Sequence, residues 1–254
     1  MNGHLAIVGL GPGDDRYLTP EAHAVLSAAQ ALYGYAPYLE RLPPRSGQSR
    51  HPSDNREEQA RAATALARAA EGARVAVVSG GDPGVFAMAA AICEAIEYGP
   101  ETWRALDLDI VPGITAMLAV AARIGAPLGH DFCALSLSDN LKPWELIERR
   151  LDAAASAGFV IALYNPVSRA RPWQFDSALE CLRHHLPAST PVIFGRAVGR
   201  LDERVNVVTL DAAEATHADM ATLVIVGSRE TRVVARDGRT PLVYTPRSAA
   251  KVIA

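Results

Sequence analysis

Three glycine-rich turns in the first half of the chain hold its clearest chemical options. "LAIVGLGPGD" (5–14) empties an apolar run into Gly9, Gly11 and Gly13, followed at once by Asp14. A dinucleotide fingerprint, G-x-G-x-x-G, needs glycine where Asp14 stands, and Pro12 removes a backbone N–H that could have faced a phosphate. No Gly-Lys-Ser/Thr follows, so a P-loop is excluded. Two readings stay open: a tight strand-to-loop turn, or a loop whose backbone approaches an uncharged or cationic ligand. "VVSGGDPGVFAM" (77–88) leaves an apolar run at Gly80 and Gly81 and presents Asp82 before a helix that the pattern starts at Pro83. Asp82 reads either as that helix's N-cap or as an acceptor for a ribose or ligand amine at the carboxyl end of a parallel strand. "VPGITAM" (111–117) repeats the strand–glycine–helix arrangement. Three such turns build a pocket along one sheet edge, a geometry that fits an adenosyl ligand without naming it.

The elements that must carry these turns alternate. "HLAIVG" (4–9), "ALYGY" (31–35), "RVAVVSGG" (74–81) and "LDLDIVPG" (106–113) read as strands. "TPEAHAVLSAAQAL" (19–32) reads as a helix with Thr19 as N-cap and Pro20 at its first position. "SDNREEQARAATALARAAEG" (53–72) reads as a helix capped at Ser53 or Asp54 and stopped by Gly72. "VFAMAAAICEAIE" and "ITAMLAVAARIG" complete the set, and "LPPRSGQSRHPS" (42–53) is the clear loop. This βα alternation predicts a parallel sheet covered on both faces. The pattern restarts near "GAPLGHD" (125–131). "FCALSLSD", "FVIALYNP", "PVIFGRAV", "RVNVVTL" and "ATLVIVGS" read as strands, with little helix between the last two. "PWELIERRLDAAASAG" places Trp144, Ile147, Leu151 and Ala154 on one helical face, and "PWQFDSALECLRHHLP" reads as another helix. The expected fold is α/β: an N-terminal domain (1–126) with a parallel sheet, a C-terminal domain (127–254) with a mixed sheet, and a cleft between them.

The 254 residues suffice for a real core, and with 25 Lys and Arg against 28 Asp and Glu the formal charge is -3. Nothing global favours nucleic acid or a membrane surface. Cys93, Cys133 and Cys181 are odd in number and far apart, which fits neither a disulfide framework nor a metal site. The seven histidines show no metal spacing, and His184 and His185 point in different directions on one helix. The N-terminus lacks the regions of a signal peptide and no apolar run is long enough to span a bilayer. The expectation is a cytoplasmic protein.

Taken in order, "GLGPGD", "SGGDPGVFAM", "VPGITAMLAVAARIGAPLGHDF" and "LYNP" resemble the tetrapyrrole methylases, S-adenosylmethionine-dependent enzymes of the cobalamin and sirohaem pathways. The likeness covers roughly residues 4 to 240 and gives the fold its expected character, tetrapyrrole methylase-like. "HDFCALSLSDNLKPWE" (130–145) and "LYNPVSRARPWQ" (163–174) are similar to the branch that methylates precorrin-3B at C(17) of ring D and contracts the macrocycle to precorrin-4. The resemblance implies S-adenosyl-L-methionine as cofactor, held by Gly81, Asp82, Val85, Phe86, Thr115, Ala116 and Tyr164, with Leu10, Ala197 and Thr222 added. It implies that Gly11, Pro12 and Gly13 line the tetrapyrrole trough. A polycarboxylate substrate calls for scattered cations, here Arg50, Lys142, Arg169, Arg171 and Arg196, each of which also reads as a solvated charge. Ring contraction makes Asp14, Ser138, Asp139 and His130 candidate proton handlers, with turn chemistry or strand-end capping as the alternative for His130 and Asp139. No metal is expected, and a homodimer is implied. Asp82→Ala is expected to cut cofactor affinity with little effect on folding.

One departure stands out. Many relatives carry Thr where this chain has Lys142, and Thr-Pro-Trp-Glu would form a capping box that lysine cannot make. Either Asn140 or solvent caps that helix, or Lys142 points into the cleft towards a substrate carboxylate. Other functions remain as alternatives: a sister methyltransferase acting on a cobalt-containing or another precorrin, on diphthine or on ribosomal RNA; a non-enzymatic tetrapyrrole carrier; and a dehydrogenase.

Overall fold

The computed structural model describes residues 3–248. The chain divides into two compact units, the first ending at Ala116 and the second starting at Met117. The first holds β1 (His4–Gly9), α1 (Pro20–Ala28), β2 (Ala31–Tyr35), α2 (Ala36–Leu39), β3 (Ser49–Ser53), α3 (Glu58–Ala70), β4 (Arg74–Ser79), α4 (Met88–Tyr98) and β5 (Asp107–Val111). Its five strands are ordered β3-β2-β4-β1-β5, and every pair is parallel.

Alternation along the strands explains two covered faces. Leu5, Ile7, Val75 and Val77 pack with Ala62, Leu66 and Ile92 of α3 and α4. Their neighbours Ala6, Val8, Ala76 and Val78 pack with Ala22, Leu26 and Leu39 of α1 and α2. Thr19 caps α1 as expected, its hydroxyl accepting from Ala22 N–H at 3.0 Å.

Three local expectations need correction. Residues 49–53, read as loop, form β3 in register with β2. It is an edge strand that tolerates Pro52 and buries no apolar stripe, so periodicity could not reveal it. His51 stacks on Tyr33 at 4.3 Å and helps hold it. The helix expected from residue 53 starts at Glu58, because Ser53 ends β3 and its hydroxyl accepts from Arg61 Nε at 2.6 Å. The helix expected at Pro83 starts at Met88.

The second unit holds most of α5 (Ala116–Ile124), then β6 (Gly125–Ala126), β7 (Phe132–Ser136), α6 (Trp144–Ser156), β8 (Val160–Tyr164), α7 (Gln174–His185), β9 (Pro191–Arg196), β10 (Arg204–Thr209), β11 (Thr222–Val226), β12 (Arg232–Arg236) and β13 (Arg239–Tyr244). The break precedes the boundary read near Ala126, because α5 packs on the second sheet: a Cβ on Gly195 of β9 would lie 2.2 Å from the Val120 side chain. That sheet runs β10-β9-β11-β8-β7 and is mixed, with only β7 and β8 parallel. Ile147, Leu151 and Ala155 of α6 join Phe175, Leu179 and Leu182 of α7 in one core with β8, β9 and β11. A third sheet, β12-β13-β6, lies beyond the strands read from sequence. No helix among the described residues is long and apolar enough to cross a membrane.

Candidate active site

Strands β4, β1 and β5 are neighbours, so parallel pairing brings their three glycine turns to one edge. The turns interlock through the backbone. Gly11 N–H donates to Gly81 O at 3.1 Å, and Gly81 N–H returns to Gly11 O at 2.9 Å. Both glycines have positive φ, 63° and 70°. Gly113 enters so closely that a Cβ there would stand 2.2 Å from Gly81 O, and one on Gly9 would stand 2.7 Å from Gly113 N. The first and third turns thus need glycine for close approach.

Asp82 ties the second turn to the third. Its Oδ1 accepts from Gly84 N–H at 2.8 Å and its Oδ2 from Gly113 N–H at 3.0 Å. It is therefore not the N-cap of α4, which starts six residues later with no side-chain cap. Val85 and Phe86 sit in the bend between. Phe86 holds φ at 51° and leaves its ring half exposed, outside the core. A bulky residue in the left-handed region costs on the order of 1–3 kcal/mol, and such strain gathers at functional sites. Thr115 is buried opposite Gly81, and Ala116 follows. Leu10, by contrast, places its side chain in the α1–α2 core and offers only backbone to this edge. Asp14 is exposed, and its Oδ1 accepts from Arg16 N–H at 3.0 Å, capping a short helical turn.

Arg41 was missed. It follows α2, yet its Nη2 donates to the carbonyls of Leu10, Gly11 and Gly13 at 2.7, 3.1 and 2.6 Å. Arg50 is spent near by on the carbonyls of Leu39 and Leu42.

In the second unit, strand register gathers another set at one edge. Ser138 and Asp139 follow β7, Tyr164 ends β8, Arg196 ends β9 and pairs with Thr222 at the start of β11. The two branch-specific segments meet here. Asn165 Nδ2 donates to Ser136 Oγ at 3.0 Å, Gln174 Nε2 donates to Asp139 Oδ2 at 3.0 Å, and Trp144 meets Trp173 edge-on at 5.1 Å. Ser138 N–H also donates to Ser136 Oγ, at 3.3 Å. Asn165 has φ 52°, and its carbonyl accepts from Arg171 Nη1 at 2.9 Å. Arg171 is thus a buried brace of the "LYNP" turn, not a solvated charge. Tyr164 Oη accepts from Met117 N–H at 3.2 Å. Ala197 is a further strand-end residue with positive φ, 47°.

The remaining candidates have these surroundings. Arg196 is taken by Asp202 and Asp219 at 2.6 and 2.7 Å. Thr222 is buried and bonded to Asp219 Oδ1 at 2.8 Å. His130 precedes β7, so it stands at the opposite end of that strand from Ser138 and Asp139, and its Nδ1 accepts from Asp131 N–H at 2.7 Å. Asn140 caps nothing: α6 starts after Pro143 without a side-chain cap. Lys142 is half-buried, and burial foremost, then Arg150, lowers its pKa. Arg169 is exposed.

Comparison with known proteins gives this arrangement its class. The model of the Tetrapyrrole (Corrin/Porphyrin) Methylases matches residues 4–214, and the chain belongs to that methyltransferase family. It is 66% identical over 247 residues to the precorrin-3B C(17)-methyltransferase of a Sinorhizobium species, a match that covers 97% of each chain. The crystal structure of the methyltransferase CobJ is 51% identical and superposes with a TM-score of 0.92, over 96% of this chain and all of that one. A uroporphyrin-III C-methyl transferase from Thermus thermophilus, complexed with S-adenyl homocysteine, shares the fold at 21% identity and a TM-score of 0.66, over 89% of this chain and 97% of that one.

Proposed function

We propose that this protein methylates precorrin-3B at C(17), with ring contraction to precorrin-4, using S-adenosyl-L-methionine. The observation that carries this reading is the 66% identity, spread over 97% of both chains, to a relative of that name. The cofactor would supply a sulfonium methyl for in-line attack by the nucleophilic ring carbon, with S-adenosylhomocysteine as the leaving group. Catalysis then rests on fixed distance and angle and on exclusion of water. The first unit suits the cofactor's chemistry. Phe86 presents an aromatic ring beside the glycine turns, Thr115 a hydroxyl, and Gly81 a backbone at positive φ with no side chain in the way, while Val85 and Ala116 stand in the reading by resemblance. Asp82 keeps acceptor capacity beyond its two N–H partners. Tyr164, Ala197 and Thr222 stand in the same reading by resemblance.

For the substrate, Lys142 is a partly desolvated ammonium with no ion pair among the described residues, a suitable receiver for a carboxylate. Arg169 is a second cation open to it. Asp139, steadied by Gln174, and Ser138 are this reading's candidates to move protons during contraction, and Asp14 is a further one. Gly11, Pro12 and Gly13 form the wall against which the macrocycle lies. The same reading expects a cytoplasmic homodimer, which light scattering on the purified protein checks.

Incubation with precorrin-3B and methyl-labelled S-adenosylmethionine tests the proposal. Label in the pigment, a changed visible spectrum, and NMR that locates the methyl on C(17) of a contracted ring are expected. A folded protein that binds S-adenosylhomocysteine but labels only a cobalt-containing or sister precorrin would overturn the substrate.

A further inference from the structure

We propose that Arg41 is a positioning residue for methyl transfer, acting through the carbonyl groups of the 10–14 loop. The proposal rests on the function given above. Arg41 lies just beyond α2, next to β2, while the loop leaves β1; β4 stands between those two strands in the sheet. One guanidinium nitrogen crosses that gap to reach Leu10 O, Gly11 O and Gly13 O at 2.7, 3.1 and 2.6 Å. A trans peptide is planar, with its C=O and the following N–H pointing opposite ways. Turning these carbonyls onto Arg41 therefore turns the N–H groups of Gly11 and Asp14 to the other side.

The consequences follow bond by bond. Gly11 N–H, so turned, meets Gly81 O at 3.1 Å. Gly11 O receives both Gly81 N–H, at 2.9 Å, and Arg41. The peptide plane of Gly11 O continues into Pro12, which has no N–H to orphan, so proline costs nothing there. Arg41 thus sets which way the substrate-facing loop presents its backbone, and through Gly81 it sets the position of the cofactor turn. All three bonds come from one nitrogen, Nη2, whose direction the planar guanidinium fixes; a lysine ammonium ends one bond nearer the backbone and turns freely on its stem.

The experiment compares wild type, Arg41→Ala and Arg41→Lys, with Arg68→Ala as a control because Arg68 pairs with Glu71 at the exposed C-terminal end of α3. Four quantities are measured: kcat, KM for precorrin-3B, the calorimetric Kd of S-adenosylhomocysteine, and the thermal midpoint. Both Arg41 variants should lose about tenfold or more in kcat, since misplacement near 1 Å carries such penalties. Their cofactor Kd should rise, and methylguanidinium at sub-denaturing concentration should recover part of the turnover of Arg41→Ala. Arg41→Lys keeps the charge and carries the test should the alanine variant fold poorly. Variants that melt lower but match wild type in kcat, KM and Kd would overturn the proposal and leave Arg41 a purely structural brace. A wild type that binds S-adenosylhomocysteine but leaves precorrin-3B untouched fails the function instead, and the Kd comparison still decides the role of Arg41.

Discussion

Asp82 spends both carboxylate oxygens inside the protein, one on Gly84 N–H and one on Gly113 N–H. This alters what its substitution should do. With the carboxylate gone, two N–H donors at the glycine interlock lose their acceptor, at a cost of about 1–3 kcal/mol for each that stays dry. Asp82→Ala should therefore lower stability as well as S-adenosylhomocysteine affinity, contrary to the expectation that folding is spared. Urea unfolding beside calorimetry checks this; an unchanged unfolding midpoint would mean that water replaces the carboxylate at both N–H groups. Asp219 makes a second residue-scale prediction. Burial alone would raise its pKa, but the Thr222 hydroxyl, Arg196 and Ala221 N–H outweigh burial and hold it below the usual carboxylate range. A depressed folded pKa contributes stability above the unfolded value of about 3.9, and that contribution is lost as pH falls through the folded value. Asp219→Asn should accordingly flatten the acid limb of a stability–pH curve below about pH 4. An acid limb identical to wild type would contradict this.

At the scale of elements, the start of α6 is the clearest lever. Its N-terminus follows Pro143 with no side-chain cap, and Lys142 places a cation where the helix dipole opposes it. Lys142→Thr removes that cation; it makes no capping box in this geometry, because Pro143, with extended ψ, already stands at the N-cap and Glu145 is the second helical residue. The variant should gain about 0.3–1 kcal/mol from the relieved dipole, or about 2–4 °C per kcal/mol in a chain of this size. If Lys142 receives a substrate carboxylate, the same variant should raise KM for the tetrapyrrole. A more stable enzyme with an unchanged KM would assign Lys142 to solvent. The branch-specific segments gain a physical reason at this scale too. They follow adjacent parallel strands, β7 and β8, so Ser136–Asn165, Asp139–Gln174 and Trp144–Trp173 meet across the same edge.

The described residues form three cores, two on the opposite faces of the first five-stranded sheet and one on the second, and a third sheet has its β12 exposed along its length. Amide exchange should reflect this, because local opening follows burial and contact. The slowest amides should fall in β1 and β4 of the first unit and in β8, β9 and β11 of the second, while those of β12 exchange early. Protection in β12 equal to that in β11 would show that the hairpin is covered in solution.

The sequence by itself determined what local rules govern. Glycine before an apolar-to-helical change marked the three turns, alternation marked the two-faced strands, and Thr19-Pro20 marked a helix start; each depends on neighbours along the chain. The family and the identity of its two branch-specific segments were legible for the same reason, as ordered runs of residues. Only the tertiary structure decided which partners those residues take. β3 escaped because an edge strand needs no apolar stripe. Arg41, Ser136, Asn165 and Gln174 escaped because a side chain's partner 6 to 35 residues away is chosen by strand order and register. The two carboxylate partners of Arg196, and the end of β7 at which His130 stands, were illegible for want of the same information. Spacing along a chain sets secondary structure, but the sheet's order of strands sets which loop ends touch, and that order is fixed by packing of the whole.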